Sequence, residues 1–188
     1  MSALAHRLDR TIVINAPREA VFRYFTDSSR WANWWGAGST IDSRPGGRIC
    51  IKYPEGTEVS GEVIEVHPPE RIVFTYGYVS GNPIPAGSSR VTIQLAAERG
   101  ATRLTLTHEL SDAAIRDQHI QGWRYQLSLF SNVVADEINA GAAAACGTAR
   151  VRCWRTSPSS DLTETSAPAK QTSSSSGRPV RSRRQRAS

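Results

Sequence analysis

Apolar residues and one histidine recur at helical spacing between Ser111 and Asn139. They follow one another at steps of three or four residues and are Ile115, His119, Trp123, Leu127, Phe130, Val134 and Ile138. Residues at such steps share one face of an α-helix, while polar residues such as Arg124 and Asn132 fall on other faces. The pattern therefore predicts a long amphipathic helix whose apolar stripe packs against another layer.

Alternation of apolar and polar residues predicts strands through most of the preceding chain. The predicted strands are Arg10–Asn15, Ser39–Ser43, Arg48–Tyr53, Thr57–His67, Arg71–Tyr78, Ser89–Ala97 and Thr102–Leu110. Turns rich in Pro and Gly separate the last six, which predicts an antiparallel meander. Strands that are apolar on one side need a cover, and the long helix supplies it.

Two short helices are predicted between the first and second strands. Pro17 suits the first turn of the first helix, because a proline amide has no proton to leave unpaired there. The second contains Trp31, Trp34 and Trp35. Each indole buries about 150–250 Å², so at least two of the three are expected to face inward. The predicted class is α+β: a strand, two short helices, a six-stranded antiparallel meander and a long helix across a curved sheet.

The net charge of +6 is carried by the C-terminal part of the chain. Residues 141–188 hold nine basic and two acidic residues, whereas residues 1–140 hold 14 basic and 15 acidic residues. A domain this close to neutral gives no electrostatic reason to bind a phosphate backbone. Residues 141–188 are also rich in Ser, Thr, Pro and Arg, which predicts a disordered tail after a folded domain at 1–140.

The tail ends in the arginine-rich segment Arg178–Arg186. Its charge alone would allow non-specific contact with nucleic acid or another acidic surface, although such runs are more often solvated chain ends. An out-of-frame translation of GC-rich codons would have the same composition. The sequence leaves these interpretations open.

The cysteines and the hydropathy indicate the compartment. Cys50, Cys146 and Cys153 lack the paired spacing of a zinc site and are interpreted as unpaired thiols. The sequence contains no apolar run of about 18 residues, and Met1–Arg10 carries charges where a signal peptide would be apolar. We therefore expect a cytoplasmic protein without a membrane span.

Seven short motifs stand in one order within residues 10–139. They are Ile14–Phe22, Trp34–Gly36, Arg44–Gly47, Gly61–Arg71, Ser89–Thr92, Thr102–His108 and Gly122–Trp123 followed by Leu127. Their order resembles the START-like, or SRPBCC, superfamily with its helix-grip fold, and within it the branch related to the activator of the heat-shock-90 ATPase. The superfamily includes lipid and hormone binders, aromatase/cyclases and co-chaperones, so the resemblance implies a fold and leaves the activity open.

A helix-grip cavity would be lined by inward strand positions, the tryptophan helix and the long helix. The candidate ligand-binding residues are Trp34, Trp35, Phe74, Tyr76, Tyr78, His108 and Trp123. They are mostly aromatic, which is typical of a pocket for an apolar or aromatic small molecule, although each ring could equally fill the core. No cofactor or metal is expected, because the four dispersed histidines form no ligand cluster and no phosphate loop occurs.

We interpret the chain as a small-molecule binder, with two alternatives. One is a co-chaperone-like interaction module that uses the sheet surface, which a solvent-exposed Trp31 over a solid core would favour. The other is a cyclase-like or hydrolase activity through His108, an inward-facing candidate acid or base. Neither an inward carboxylate nor an inward serine is predicted beside His108, so the residues favour binding over catalysis. His119 is interpreted as structural.

Overall fold

The computed structural model describes residues 4–153, and the side chains of residues 4–141. The strands are β1 (His6–Ile14), β2 (Thr40–Ile41), β3 (Arg48–Lys52), β4 (Glu58–His67), β5 (Arg71–Tyr76), β6 (Ser89–Glu98) and β7 (Ala101–Leu110). The helices are α1 (Arg18–Phe22), a 3₁₀ turn (Arg23–Phe25), α2 (Ser28–Trp35) and α3 (Ala113–Cys153). This order confirms the predicted α+β class.

The seven strands form one antiparallel sheet in the order β1-β7-β6-β5-β4-β3-β2. Strands β2 to β7 are a meander, and β1 pairs with β7 at the far edge, with Leu8 opposite His108. The alternation in β7 buries Leu104, Leu106, His108 and Leu110 on one face. α3 covers that face with its own buried residues, Trp123, Leu127, Phe130 and Val134.

Most strand boundaries differ from the prediction by one or two residues, and the start of β1 differs by four. β1 begins at His6, because Leu8 is buried while its charged neighbours Arg7 and Asp9 are exposed on the other face of the strand. β5 ends at Tyr76, so Tyr78 lies beyond the strand and makes only single bridges to Val59 and Pro85.

The predicted end of the long helix is wrong. α3 passes through Gly141 and continues to Cys153, so residues 141–153 are helical, where a disordered tail was expected. One glycine inside a helix costs only about 1 kcal/mol relative to alanine, and the four alanines that follow have the highest helix propensity. Residues 154–188, including Arg178–Arg186, lie outside the described part of the chain.

The tryptophan helix α2 is defined at both ends. The Asp27 carboxylate caps its start by accepting hydrogen bonds from the backbone N–H groups of Ser29 and Arg30 at 2.8 and 3.3 Å. Gly36 ends it with a φ of 139°, a conformation that favours glycine. Between these ends, all three indoles are at most 3% exposed: Trp31, Trp34 and Trp35. The prediction that at least two face inward is confirmed.

Glu137 connects α3 to the N-terminal helical segment. Its carboxylate accepts hydrogen bonds from the Tyr24 hydroxyl and the Arg30 guanidinium, which also lies 5.3 Å from the centre of the Tyr24 ring. Burial and then the bond to Glu137 raise the pKa of Tyr24 to about 12. The bond from Tyr24, with a smaller contribution from Arg30, lowers the pKa of Glu137. Near neutral pH, Tyr24 therefore keeps its proton, Glu137 is ionised and Arg30 is positively charged.

Replacing Glu137 with alanine should reduce the free energy of unfolding by about 1–3 kcal/mol, because the buried Tyr24 hydroxyl loses its acceptor. Urea unfolding measures the loss. Asp136→Ala is the matched control, since Asp136 is exposed on the same turn and should change stability by no more than about 0.5 kcal/mol. Equal effects of the two substitutions would contradict the anchoring role.

Candidate functional site

A cleft of about 120 Å³ lies between α3 and the sheet, beside the end of α2. We call it the aromatic cleft, and its lining residues are Trp35, Tyr53, Tyr76, Tyr78, Pro83, Gln118, His119, Gly122, Trp123 and Gln126. Gln118 and Gly122 are exposed, so the cleft opens to solvent along α3. None of the ten lining residues is Asp, Glu, Lys or Arg. The cleft is therefore aromatic, polar at a few points and without carboxylate, lysine or arginine side chains along its lining.

Four of the seven candidate residues line the cleft: Trp35, Tyr76, Tyr78 and Trp123. The other three lie in the core beside it. Trp34 stacks on Trp35 with ring centroids 4.2 Å apart. The ring centroids of Phe74 and Trp31 are 5.8 Å apart, and those of His108 and Trp123 are also 5.8 Å apart.

Four polar lining residues were missing from the candidates, namely Tyr53, Gln118, His119 and Gln126. Three of them carried a detectable signal. His119 precedes Trp123 by four residues and Gln126 follows it by three, and both spacings place a side chain on the same helix face. Tyr53 alternates with Ile49 and Ile51 as the last residue of the predicted strand Arg48–Tyr53, which placed it on the same inward face, although β3 itself ends at Lys52.

The phenols of half-buried Tyr53 and buried Tyr76 form a hydroxyl pair in the cleft wall. The hydroxyl oxygens of Tyr53 and Tyr76 lie 3.2 Å apart, within hydrogen-bonding distance. Burial raises the pKa of both tyrosines, so both hydroxyls keep their protons. The ring of Trp35 meets the rings of Tyr53 and Trp123 edge-on, at centroid distances of 5.8 and 5.7 Å. Such T-shaped contacts hold the walls of the cleft in place.

His119 and Tyr78 form a second polar pair. His119 Nδ1 lies 2.8 Å from the backbone oxygen of Ile115, a group that can only accept, so Nδ1 carries the proton. In the neutral ring, Nε2 then accepts the Tyr78 hydroxyl proton at 3.4 Å. His119 thus lies in the cleft wall, with both ring nitrogens engaged and a defined tautomer.

His108 occupies the middle of a buried hydrogen-bond chain that joins α3 to the sheet. The Trp123 indole N–H donates to His108 Nδ1 at 2.9 Å. Nε2 therefore carries the proton of the neutral ring and donates it to Ser89 Oγ at 2.8 Å. The Ser89 hydroxyl in turn donates to the backbone oxygen of Tyr76 at 2.7 Å. Every polar group in this series of hydrogen bonds, from the Trp123 N–H to the Tyr76 oxygen, has a partner.

The expectation of no inward serine beside His108 is wrong, because Ser89 is only 2% exposed and bonds to the ring. Its direction of donation is opposite to that of a nucleophilic pair, in which histidine accepts the serine proton. With one ring nitrogen accepting from Trp123 and the other donating to Ser89, His108 has no nitrogen left for a substrate. The arrangement holds Trp123 in place and offers no general base.

Stability should fall with acidification because of His108. Burial, with a smaller effect of nearby His119, lowers the pKa of His108 from 6.5 to about 3. Between these values the unfolded chain binds a proton that the folded chain does not, so stability is lost as pH falls below 6.5. The slope contributed by this residue is at most about 1.4 kcal/mol per pH unit.

Urea unfolding at pH 6 and pH 5 measures this effect. In His108→Gln the stability difference between the two pH values should shrink by about 1 kcal/mol, close to one proton's contribution. His67→Gln is the control, because His67 is exposed on the surface. An unchanged pH dependence in His108→Gln would contradict a neutral, buried His108.

Membrane-spanning helices and metal-ligand clusters are both absent from the described residues. Among residues 4–153 no helix is long and apolar enough to cross a bilayer. The same part of the chain contains no cluster of three or more His, Cys, Asp or Glu side chains arranged to hold a metal ion. The side chains that line the cleft supply indole, phenol, imidazole and amide groups.

Several solved structures share this fold. The crystal structure of protein MLL2253 from Mesorhizobium loti has a TM-score of 0.62 at 18% identity and covers 70% of this chain and 98% of its own. CalU16 from Micromonospora echinospora has a TM-score of 0.56 at 23% identity, covering 71% and 79%. The Aha1 dimer from Colwellia psychrerythraea has a TM-score of 0.59 at 15% identity, covering 69% and 96%. At these identities the likeness shows the fold alone.

Sequence comparison adds the family. A search of curated protein sequences finds none that matches this chain. A family model described as "Activator of Hsp90 ATPase homolog 1-like protein" matches residues 15–135, which confirms the resemblance drawn from the seven motifs. These residues include both short helices, all strands from β2 to β7 and the part of α3 that lines the cleft. The chain belongs to the family of Activator of Hsp90 ATPase homolog 1-like proteins.

Proposed function

We propose that the protein binds a small apolar or aromatic molecule in the aromatic cleft. The observation that carries the proposal is the lining itself: a solvent-connected space between sheet and α3, walled by Trp35, Tyr53, Tyr76, Tyr78 and Trp123. Pockets of this kind, mostly aromatic with a few placed polar groups, are typical of small-molecule sites. Its volume of about 120 Å³ is close to that of an apolar cavity of about 150 Å³ known to bind benzene.

The burial of Trp31 also supports binding in the cleft over use of the tryptophan helix as a docking surface. Trp31 is fully buried, with its indole N–H 3.4 Å from the backbone oxygen of Cys50. An exposed Trp31 over a solid core was the feature expected of a protein-interaction module. A catalytic function through His108 lacks a free ring nitrogen, so binding is the better supported role.

Calorimetric titration with α-methylstyrene, a flat apolar molecule with one ring, tests the proposal. We expect saturable binding at one site. Gly122→Leu should weaken it at least about tenfold, because Gly122 lines the cleft at its exposed mouth and a Cβ there meets no atom within 4 Å. The new side chain can therefore cover the entrance without disturbing the core.

Gly141→Leu is the matched control. Gly141 is an exposed glycine of the same helix, its Cβ position is equally open, and it lies outside the cleft. The affinity of the Gly141→Leu variant for α-methylstyrene should match that of the unchanged protein. The proposal fails if α-methylstyrene does not bind, or if the two leucine variants bind it equally well.

A second candidate function, protein interaction, has support from a groove beside the outer side of β4. This groove of about 710 Å³ includes Ile64, Ile84 and Pro85, and Ile64 is 48% exposed. Because a structural relative is described as a dimer, we propose a second copy of this chain as the partner. Sedimentation should then show a dimer that Ile64→Asp dissociates, and a monomer at all concentrations would exclude it.

A further inference from the structure

The lining of the aromatic cleft contains no lysine or arginine to receive an anion. Its ten residues include no Asp, Glu, Lys or Arg, and the phenols of Tyr53 and Tyr76 keep their protons because burial raises their pKa. A carboxylate that entered would lose its hydration and find no lysine or arginine to pair with, which is costly. The lining therefore disfavours anionic ligands.

The hydrogen-bond inventory of the cleft leaves donors in excess. Tyr53 and Tyr76 have one hydroxyl proton each, and the single bond between them uses one of the two. The Tyr78 hydroxyl lies near that of Tyr76 but beyond good hydrogen-bonding distance, so one phenolic proton remains available to an acceptor on a ligand. The proton of Tyr78 is already donated to His119 and does not add to the excess.

Trp35 supplies a second donor without a protein acceptor. Its ring lines the cleft, and its buried indole N–H has no hydrogen-bond partner within the described part of the protein. Buried donors without acceptors are uncommon, because each costs about 1–3 kcal/mol. The Trp35 N–H and the phenolic proton that the Tyr53–Tyr76 bond does not use are donors that a ligand with a hydrogen-bond acceptor would satisfy.

We infer that the aromatic cleft takes neutral molecules with a single aromatic ring and a hydrogen-bond acceptor, such as aryl ketones, and that the Tyr53 and Tyr76 hydroxyls recognise the acceptor. The inference rests on the proposed function and narrows its ligand class. The volume of about 120 Å³ admits one ring. The aromatic walls contact the faces and edges of that ring, and the phenol pair distinguishes a carbonyl from a hydrocarbon.

The test is a cycle of two probes and two proteins. Acetophenone has the acceptor, and α-methylstyrene has nearly the same shape with a methylene group in place of the oxygen. The double variant Tyr53→Phe/Tyr76→Phe removes both hydroxyls together and leaves neither one unpaired. We expect it to weaken acetophenone binding by about 3–10-fold, the usual value of one neutral hydrogen bond. Its affinity for α-methylstyrene should stay within about twofold.

Tyr125→Phe is the control variant, because Tyr125 is 66% exposed on α3 and lies outside the cleft. It should bind both probes as the unchanged protein does. Benzoate, the anion of similar size, should bind at least about tenfold more weakly than acetophenone at pH 7. These ratios are measured by calorimetry under one set of conditions.

The outcomes separate the inference from the proposed function. Suppose that α-methylstyrene binds, and that the double variant weakens the binding of both probes equally or changes the binding of neither. The cleft then binds apolar molecules, and the phenol pair does not select the acceptor. Benzoate binding as tight as that of acetophenone overturns the preference for neutral ligands. If neither α-methylstyrene nor acetophenone binds the unchanged protein, the proposed function fails as well. Retained α-methylstyrene binding also shows that the double variant is folded.

Discussion

Trp123→Ala is expected to lower the free energy of unfolding by about 3–5 kcal/mol, the cost of truncating a buried aromatic side chain. Trp123 is only 4% exposed at the middle of the α3 stripe and packs edge-on against Trp35. The substitution also removes the donor to His108 Nδ1, which leaves a buried acceptor without its partner. Both losses act in the same direction.

Urea unfolding measures this loss, and Tyr125→Ala is the control on the exposed side of the same helix. The control should change stability by no more than about 0.5 kcal/mol. Trp123→Ala should also impair α-methylstyrene binding, since the ring is a wall of the cleft. A loss of stability below about 1 kcal/mol would show that Trp123 is not packed as described.

Gly36→Ala is expected to destabilise the protein by roughly 3–5 kcal/mol, because backbone strain and overpacking add at one site. The φ of Gly36 is 139°, in a region that residues with a Cβ rarely adopt. A Cβ at this position would lie 2.2 Å from the backbone oxygen of Lys52. Since Gly36 directly follows Trp35, movement of its backbone would also displace a wall of the cleft.

Gly56→Ala separates the two causes. Gly56 also has a positive φ, of 89°, but a Cβ there meets no atom within 4 Å. Its alanine variant should therefore lose only the backbone term, about 1–2 kcal/mol. Thermal or urea unfolding of both variants measures the difference. Similar losses of stability in Gly36→Ala and Gly56→Ala would show that the backbone after α2 can move away from the Lys52 oxygen at little cost.

The fold was predictable because burial in this chain follows simple periods. Val91, Ile93 and Leu95 alternate along β6 as a one-sided strand requires, and they are buried as the alternation predicts. The stripe from Trp123 to Val134 likewise predicted which face of α3 packs on the sheet. Such patterns determine which face is buried, and with turn chemistry they determine the order of the elements.

The details of the site depend on properties that periodicity does not contain. Ser89 and His108 meet because β6 and β7 pair in a register that places Val91 opposite His108. A pattern of alternation does not set that register by itself. The space beside Tyr53 depends on how the loop through Pro83 passes the end of β5. The continuation of α3 past Gly141 reflects the small cost of one glycine against the propensity of the residues around it.

The central claim, that a small aromatic molecule binds between the sheet and α3, is tested most directly by NMR of the indole N–H groups. The chain has five tryptophans, so their signals are few enough to assign by substitution. On titration with α-methylstyrene, the signals of Trp35 and Trp123 should shift saturably. The signal of Trp31, which is fully buried and does not line the cleft, should shift much less. Absence of a saturable shift at Trp35 and Trp123, or equal shifts at Trp31, would contradict binding in the aromatic cleft.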